Sequence, residues 1–218
     1  MVPCLNEAAA IGPVVAELRR YVSVVLVVDD GSSDDTRLVA EHAGAEVLRL
    51  EQTRGKGAAL QAGWRQARQR GFRWSLTLDG DGQHAPADTP RFFRCAEQTS
   101  AALVVGNRMR NTVRMPWSRQ AANQWMSRRI SRVAGRPLPD SQCGFRLIRL
   151  DILAGLPITA EHFEIESDVL LAIVRAGHRV EFVPIQSIYK QEQSKIHLWC
   201  DMVRWLRWWR RVTRRRHE

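Results

Sequence analysis

From Ala8 to Gly106 the chain alternates short β-rich runs with segments of helical periodicity, and few architectures accommodate that order. Strand, covering helix and further strand in repetition build a parallel or mostly parallel sheet with helices on its faces, so the expected class is α/β. Strands are expected at Val2 and over 24–28, 46–50, 74–78, 102–106, 145–149 and 179–184. Helices are expected over 8–21, 33–43, 57–70, 90–99 and 167–176. Beyond Arg108 the alternation weakens into a basic, partly helical stretch that runs to Asp140.

Two of the expected strands end in acid. The run Leu76-Thr77-Leu78 leads straight into Asp79-Gly80-Asp81-Gly82-Gln83-His84. Side chains at i and i+2 of an extended segment point the same way, so Asp79 and Asp81 can reach one hard divalent cation. Upstream, the β-branched run ending at Val28 meets Asp29, Asp30, Gly31 and Ser32. One such loop is explained equally well as a turn. Two in one chain suggest a site for a metal-bound phosphate compound.

At 218 residues the chain is long enough for one domain with a sizeable core plus an appendage, divided here into 1–195 and 196–218. The longest apolar run is too short to cross a bilayer and the N-terminus shows no basic-then-apolar signal pattern, which predicts a cytoplasmic protein. Cys4, Cys95, Cys143 and Cys200 are scattered without metal-ligand spacing and read as reduced thiols.

The net charge of +10 is concentrated at the C-terminal end, where seven arginines lie between Arg204 and Arg216 among Trp205, Trp208 and Trp209. On a helix, Leu198, Met202, Trp205, Trp209 and Val212 form one apolar stripe, with Arg204, Arg207, Arg211 and Arg214 opposite. A basic helix with tryptophans suits the headgroup region of an anionic membrane, so residues 198–216 are expected to place the protein on the inner face of the cytoplasmic membrane. The alternative is a helix docked on its own domain. No nucleic-acid recognition motif accompanies the arginines, and no nucleic acid partner is expected.

The motifs, taken in register, resemble the family 2 glycosyltransferases and, within them, the dolichol-phosphate mannose synthase and polyprenyl-phosphate glycosyltransferase group. The resemblance rests on Val2-Pro3 with Asn6-Glu7, Val27-Val28-Asp29-Asp30-Gly31-Ser32 with Asp35-Thr36, and Gly55-Lys56-Gly57. It continues through Asp79 to His84, Gly106-Asn107-Arg108, and Asp140-Ser141-Gln142 leading to Gly144-Phe145-Arg146. Family members carry a longer first strand before the Val-Pro pair, where this chain has only Met1 ahead of Val2.

This resemblance implies a GT-A fold, Rossmann-like, with a nucleoside-diphosphate sugar on the first half of the sheet and the acceptor on the second. Pro3, Asn6, Glu7, Asp29, Asp30, Lys56 and Asp79 would form the donor site, Glu7 and Asp30 contacting base and ribose and Asp29 supporting the loop. Asp79, Asp81 and Gln83 would hold Mg²⁺ or Mn²⁺, with His84 either a further ligand or a turn-stabilising ring. The Gly55-Lys56-Gly57 segment lacks Walker spacing and is not a P-loop.

A lipid phosphate is already anionic and needs arginines rather than a general base. Arg108, Arg119 and Arg146, with Lys195 from the other side, are therefore the expected ligands of a polyprenyl phosphate acceptor, and Asp79, Asp81, Arg108 and Arg146 the catalytic set. Glu166 is the favoured acidic neighbour from a segment that also holds Glu164 and Asp168. The implied activity is a metal-dependent, inverting transfer of glucose or mannose. Transfer to a saccharide hydroxyl, nucleotidyl transfer and a non-catalytic membrane-binding module are the alternatives; the Gln-x-x-Arg-Trp pattern of processive enzymes is missing.

Overall fold

A computed structural model describes residues 1–110, 115–188 and 198–214. The strands are β1 (Val2–Cys4), β2 (Leu26–Asp29), β3 (Glu46–Arg49), β4 (Trp74–Thr77), β5 (Leu103–Asn107), β6 (Arg146–Arg149) and β7 (Val180–Pro184). The helices are α1 (Ala8–Leu18), α2 (Thr36–His42), α3 (Lys56–Gln69), α4 (Thr89–Thr99), α5 (Trp117–Ala134), α6 (Leu150–Leu153), α7 (Ile165–Arg175) and α8 (Leu198–Arg214). The expected elements are present, with ends that differ by up to a few residues.

β1, β2 and β3 pair in parallel, each returning through a helix. A second ladder runs β4-β6-β5-β7, in which β5 and β7 are parallel. The two ladders meet where the Met1 amine donates to the Leu76 carbonyl (2.6 Å) and the Leu78 amide donates to the Met1 carbonyl (3.2 Å). β6 is antiparallel to both of its neighbours, so the sheet is parallel-rich rather than an unbroken parallel series. The reason lies in the long excursion through α5, which returns the chain to the sheet at the same edge from which β4 and β5 leave it. Arg146, the first residue of β6, accordingly pairs with Thr77 near the end of β4 and with Val105 in β5.

One apolar cluster spans both ladders and the helices that cover them. At its centre the fully buried Phe145 ring stacks on Phe92 of α4 with centroids 4.2 Å apart. Trp205 and Trp208 of α8 belong to the same cluster, each 2 % exposed. Their indole N–H groups donate to Ser167 Oγ and Asp168 Oδ1 of α7, both at 3.0 Å. The tryptophan stripe expected to meet a membrane interface is thus turned onto the protein's own domain. An amphipathic helix must cover its apolar face, and α7 offers both apolar surface and buried acceptors for the two indoles.

Truncation of Phe145 to Ala removes a fully buried ring and its stacking partner's contacts. It is expected to lower unfolding free energy by about 3–5 kcal/mol in chemical denaturation, while Leu38→Ala on the exposed side of α2 changes it by less than about 0.5 kcal/mol.

Candidate active site

The acidic loops sit at the carboxyl ends of β2 and β4, where an open α/β sheet presents its crevice. Two compartments open there and share Lys56, Asp79, Asp81, Gln83 and Phe163. The first is bounded by Pro3, Glu7, Asp30 and the Thr53–Gly55 loop, and the second by Arg108, Arg119, Asn123, Gln142 and Glu166.

Lys56 stands at their junction. Its Nζ lies 2.6 Å from Asp79 Oδ1 and 2.6 Å from Glu166 Oε1, so one cation bridges the β4 loop and α7. Burial works to lower the lysine, but the two carboxylates more than reverse this and hold it above the usual ammonium range. Asp79 likewise overcomes the penalty of burial through Lys56 and His84 and is held well below the usual carboxylate range. His84 is buried, with Nε2 3.5 Å from Asp79 Oδ2 and its ring beside Phe145. Asp81 moves the other way: burial, then the nearby Asp79 charge, push its carboxyl up.

Close packing shapes this centre. A Cβ on Gly144 would come within 2.6 Å of an Asp79 carboxylate oxygen, and one on Gly57 within 2.6 Å of the Glu161 carbonyl carbon. Gly55, at φ +102°, opens α3 in a conformation that disfavours other residues. Gly55 and Gly57 are required because the segment over 160–163 lies directly on the start of α3, whereas Gly144 makes room for the Asp79 carboxylate.

The donor-side residues divide into liners and braces. Pro3, Glu7, Asp30 and Lys56 line the first compartment. Asp30 accepts from the Arg54 amide (2.9 Å) and the Gly55 amide (2.8 Å), fixing the loop that forms one wall. Asp29 is fully buried and accepts from the Ser32 amide at 2.8 Å. Asn6, at φ +55°, is not among the liners; its side-chain oxygen accepts from the Ser33 amide (2.8 Å) and its own amide donates to Ser32 Oγ (2.9 Å). It ties β1's loop to β2's loop instead of facing a ligand.

The arginines of the second compartment also divide. Arg119 lines it, with Nη1 3.4 Å from Gln83 Oε1. Arg108 lines it too, oriented by Asp140 through Nε–Oδ2 and Nη2–Oδ1 contacts of 2.9 Å each. Arg146 differs from the expectation. It is 3 % exposed, and its guanidinium donates to the carbonyls of Cys143 (2.6 Å), Glu166 (2.5 Å) and Ser141 (2.9 Å). The antiparallel start of β6 places it beneath the site, where it fastens the 141–143 loop to α7 rather than meeting a phosphate. Lys195 lies outside the described residues.

Glu166 faces the site through Lys56, whereas Asp168 turns away to accept from the Thr159 amide (2.9 Å), the Ala160 amide (3.1 Å) and Trp208. Several contributors carry no single-residue signal in the sequence. Asn123 donates to Asp140 Oδ1 (3.0 Å), Ser127 donates to Asn123 Oδ1 (3.0 Å), and Gln142 donates to Ser167 Oγ (2.7 Å), which also accepts from Trp205. Only the four-residue spacing of Asn123, Ser127 and Ser131 hints at a buried polar stripe on α5.

For a divalent cation the donor set is hard oxygen: Asp79, Asp81 and the Gln83 amide converge on the shared part of the cleft. The described residues contain no cluster of three or more His, Cys, Asp or Glu arranged for a metal. Two carboxylates with substrate phosphates completing the shell is the pattern by which Mg²⁺ is usually held, so these residues fit such an ion.

Comparison with known proteins follows the same lines. The family described as "Glycosyl transferase family 2" matches residues 1–156. An undecaprenyl-phosphate mannosyltransferase of Micrococcus luteus is 31 % identical over 206 residues, covering 88 % of this chain and 81 % of that protein. A UDP-N-acetylglucosamine–dolichyl-phosphate N-acetylglucosaminyltransferase of Methanococcus voltae is 28 % identical, covering 88 % and 85 %. Among solved structures, glucosyl-3-phosphoglycerate synthase of Mycobacterium tuberculosis, in complex with Mn²⁺, UDP and phosphoglyceric acid, superposes with a TM-score of 0.70 at 22 % identity, over 88 % of this chain and 70 % of that one. That likeness is one of fold, the GT-A arrangement of a parallel-rich α/β sheet.

Two outcomes test this geometry. Replacing Arg146 with Met leaves three carbonyls without their charged donor and is expected to cost about 3 kcal/mol or more of unfolding free energy; a phosphate ligand alone would leave unfolding unchanged. Asp140, held at about 2 against burial by Arg108, lies below its ordinary value of 3.8. Its stabilisation is therefore present above about pH 4 and lost as pH falls towards about 2, amounting to about 2 kcal/mol. Denaturant titrations across that window are expected to show a smaller loss for Asp140→Asn than for the wild type.

Proposed function

Since the chain belongs to glycosyl transferase family 2, we propose that this glycosyltransferase moves a hexose from a nucleoside diphosphate to a polyprenyl phosphate by a single inverting displacement. The observation that carries the acceptor is the wall of the second compartment. It sets the guanidinium groups of Arg108 and Arg119 beside the apolar side chains of Met126, Phe163, Met202 and Trp205, next to the Asp79–Asp81 loop. A charged head with an apolar tail matches that combination, and a guanidinium grips phosphate oxygens in pairs. The names of the Micrococcus and Methanococcus relatives point to the same acceptor class.

In the reaction a phosphate oxygen of the acceptor forms a bond to the anomeric carbon while the bond from that carbon to the diphosphate breaks. No proton need leave the nucleophile, and no general base is required. The side chains fit this economy. Glu166 and Asp79 are both tied to Lys56, so neither is poised as a base or as a covalent nucleophile. Inversion follows from one displacement without a glycosyl-enzyme intermediate.

Glu7 and Asp30, which line the first compartment, would contact base and ribose, with Asp30 also holding the wall formed by Arg54 and Gly55. Lys56 carries positive charge at the point where the two substrates' phosphates approach. Asp140 keeps the Arg108 fork in plane, so the acceptor meets an oriented group rather than a mobile one. Asp79, Asp81 and Gln83 would hold Mg²⁺ or Mn²⁺, which offsets charge developing on the departing diphosphate.

Incubation with a panel of nucleotide-sugars, a divalent cation and a polyprenyl phosphate, followed by measurement of released nucleoside diphosphate, tests the reading. Lipid-phosphate-dependent release is expected, lost with a chelator and lowered about 100-fold or more by Asp81→Asn. Release that a saccharide stimulates and a lipid phosphate does not would assign a hydroxyl acceptor instead.

A further inference from the structure

The arginines of α8 do not share one environment. Arg207 and Arg210 are exposed and line neither compartment, whereas Arg204, also open to solvent, forms part of the wall of the first. Its near neighbours in the chain, Met202 and Trp205, line the second compartment. α8 therefore lies across the junction of the two, and Arg204 enters the first from the side nearest the second. That is the end marked by Lys56, Asp79 and Asp81, not the end bounded by Glu7, Asp30 and the Thr53–Gly55 loop.

The helix sets the direction of this side chain. Arg204 stands four residues before Trp208, so both project from the same side of α8. Trp208 is buried and donates to Asp168 Oδ1 at 3.0 Å, and Trp205 donates to Ser167 Oγ at 3.0 Å. Both acceptors belong to α7, whose Glu166 lies 2.6 Å from Lys56 Nζ. Two indole bonds thus register Arg204 against Lys56 and the Asp79–Asp81 loop.

Charge balance identifies the ligand. Glu7, Asp30, Asp79 and Asp81 line the first compartment, against Arg54, Lys56 and Arg204. Lys56 is answered by Asp79 and Glu166, and Arg54 lies on the loop that Asp30 holds, at the far end. A diphosphate arriving beside Asp79 and Asp81 needs cationic donors at its own end, and a guanidinium on a fixed helix offers paired N–H groups to phosphate oxygens. We propose that Arg204 is a donor-site residue that binds the β-phosphate of the nucleoside diphosphate, the phosphate bonded to the sugar. When the bond from that phosphate's oxygen to the anomeric carbon breaks, its electron pair stays on the oxygen, and Arg204 offsets the added charge. This assignment rests on the nucleoside-diphosphate reading above and is independent of the acceptor. It gives the C-terminal helix a part in donor binding.

Equilibrium binding of UDP, UMP, GDP and GMP to the full chain with Mn²⁺ tests it, for wild type, Arg204→Gln, Arg204→Lys and Arg207→Gln. Arg204 is exposed, so thermal unfolding, followed in parallel, is expected to be the same for every variant. Arg204→Gln is expected to weaken binding of the preferred diphosphate about 10-fold while its monophosphate stays within about 2-fold, and Arg204→Lys to recover part of the loss. Arg207→Gln is expected to bind like wild type. Equal weakening of monophosphate and diphosphate, or wild-type diphosphate binding by Arg204→Gln, overturns the proposal and leaves the donor reading in place. Failure of the wild type to bind either diphosphate overturns both. A loss confined to the diphosphate, in a protein whose nucleotide release no lipid phosphate stimulates, would support the proposal and refute the acceptor assignment.

Discussion

A lysine held between one buried and one half-buried carboxylate joins the halves of this molecule. Lys56 opens α3, Asp79 closes β4 and Glu166 begins α7, so three elements distant in sequence meet at one charge. Burial makes each of these groups costly if left alone, and removing any one would strand the others. The requirement propagates outward. Gly55 and Gly57 must be small for the 160–163 segment to lie over Lys56, and Gly144 must be small for β6 to begin against Asp79.

A second layer of polar contacts supports the first. Arg146 fastens the 141–143 loop to α7, Asp140 aligns Arg108, and the Asn123–Ser127–Ser141 and Gln142–Ser167 contacts reach the indole of Trp205. The C-terminal helix therefore belongs to the wall of the second compartment as well as to the core. Its dual use fits the burial of two tryptophans there, while the most open indole among the described residues is on α5.

Much of this was legible in the chain itself. The strand-helix alternation up to Gly106, the two acidic strand ends and the amphipathic C-terminal helix are local patterns, because side-chain periodicity follows from backbone geometry alone. The carboxylates of Asp79 and Asp81 read as a pair for the same reason. The contacts of Asn6, Arg146 and the C-terminal tryptophans were not legible, since a motif shows that a polar group is present and not which partner it finds. The antiparallel course of β6 was hidden too, because strand direction depends on how a long connection returns.

By itself, then, the sequence determined the α/β class, the placing of two carboxylates at the end of one strand, and the presence of a basic C-terminal helix with one apolar face. Only the tertiary structure decided what covers that face and what answers each charge. Periodicity specifies that a face must be buried, but burial is satisfied by any surface of matching shape with acceptors in reach. Here α7 supplied Ser167 and Asp168 to the indoles of α8, and backbone carbonyls supplied what a phosphate was expected to give Arg146.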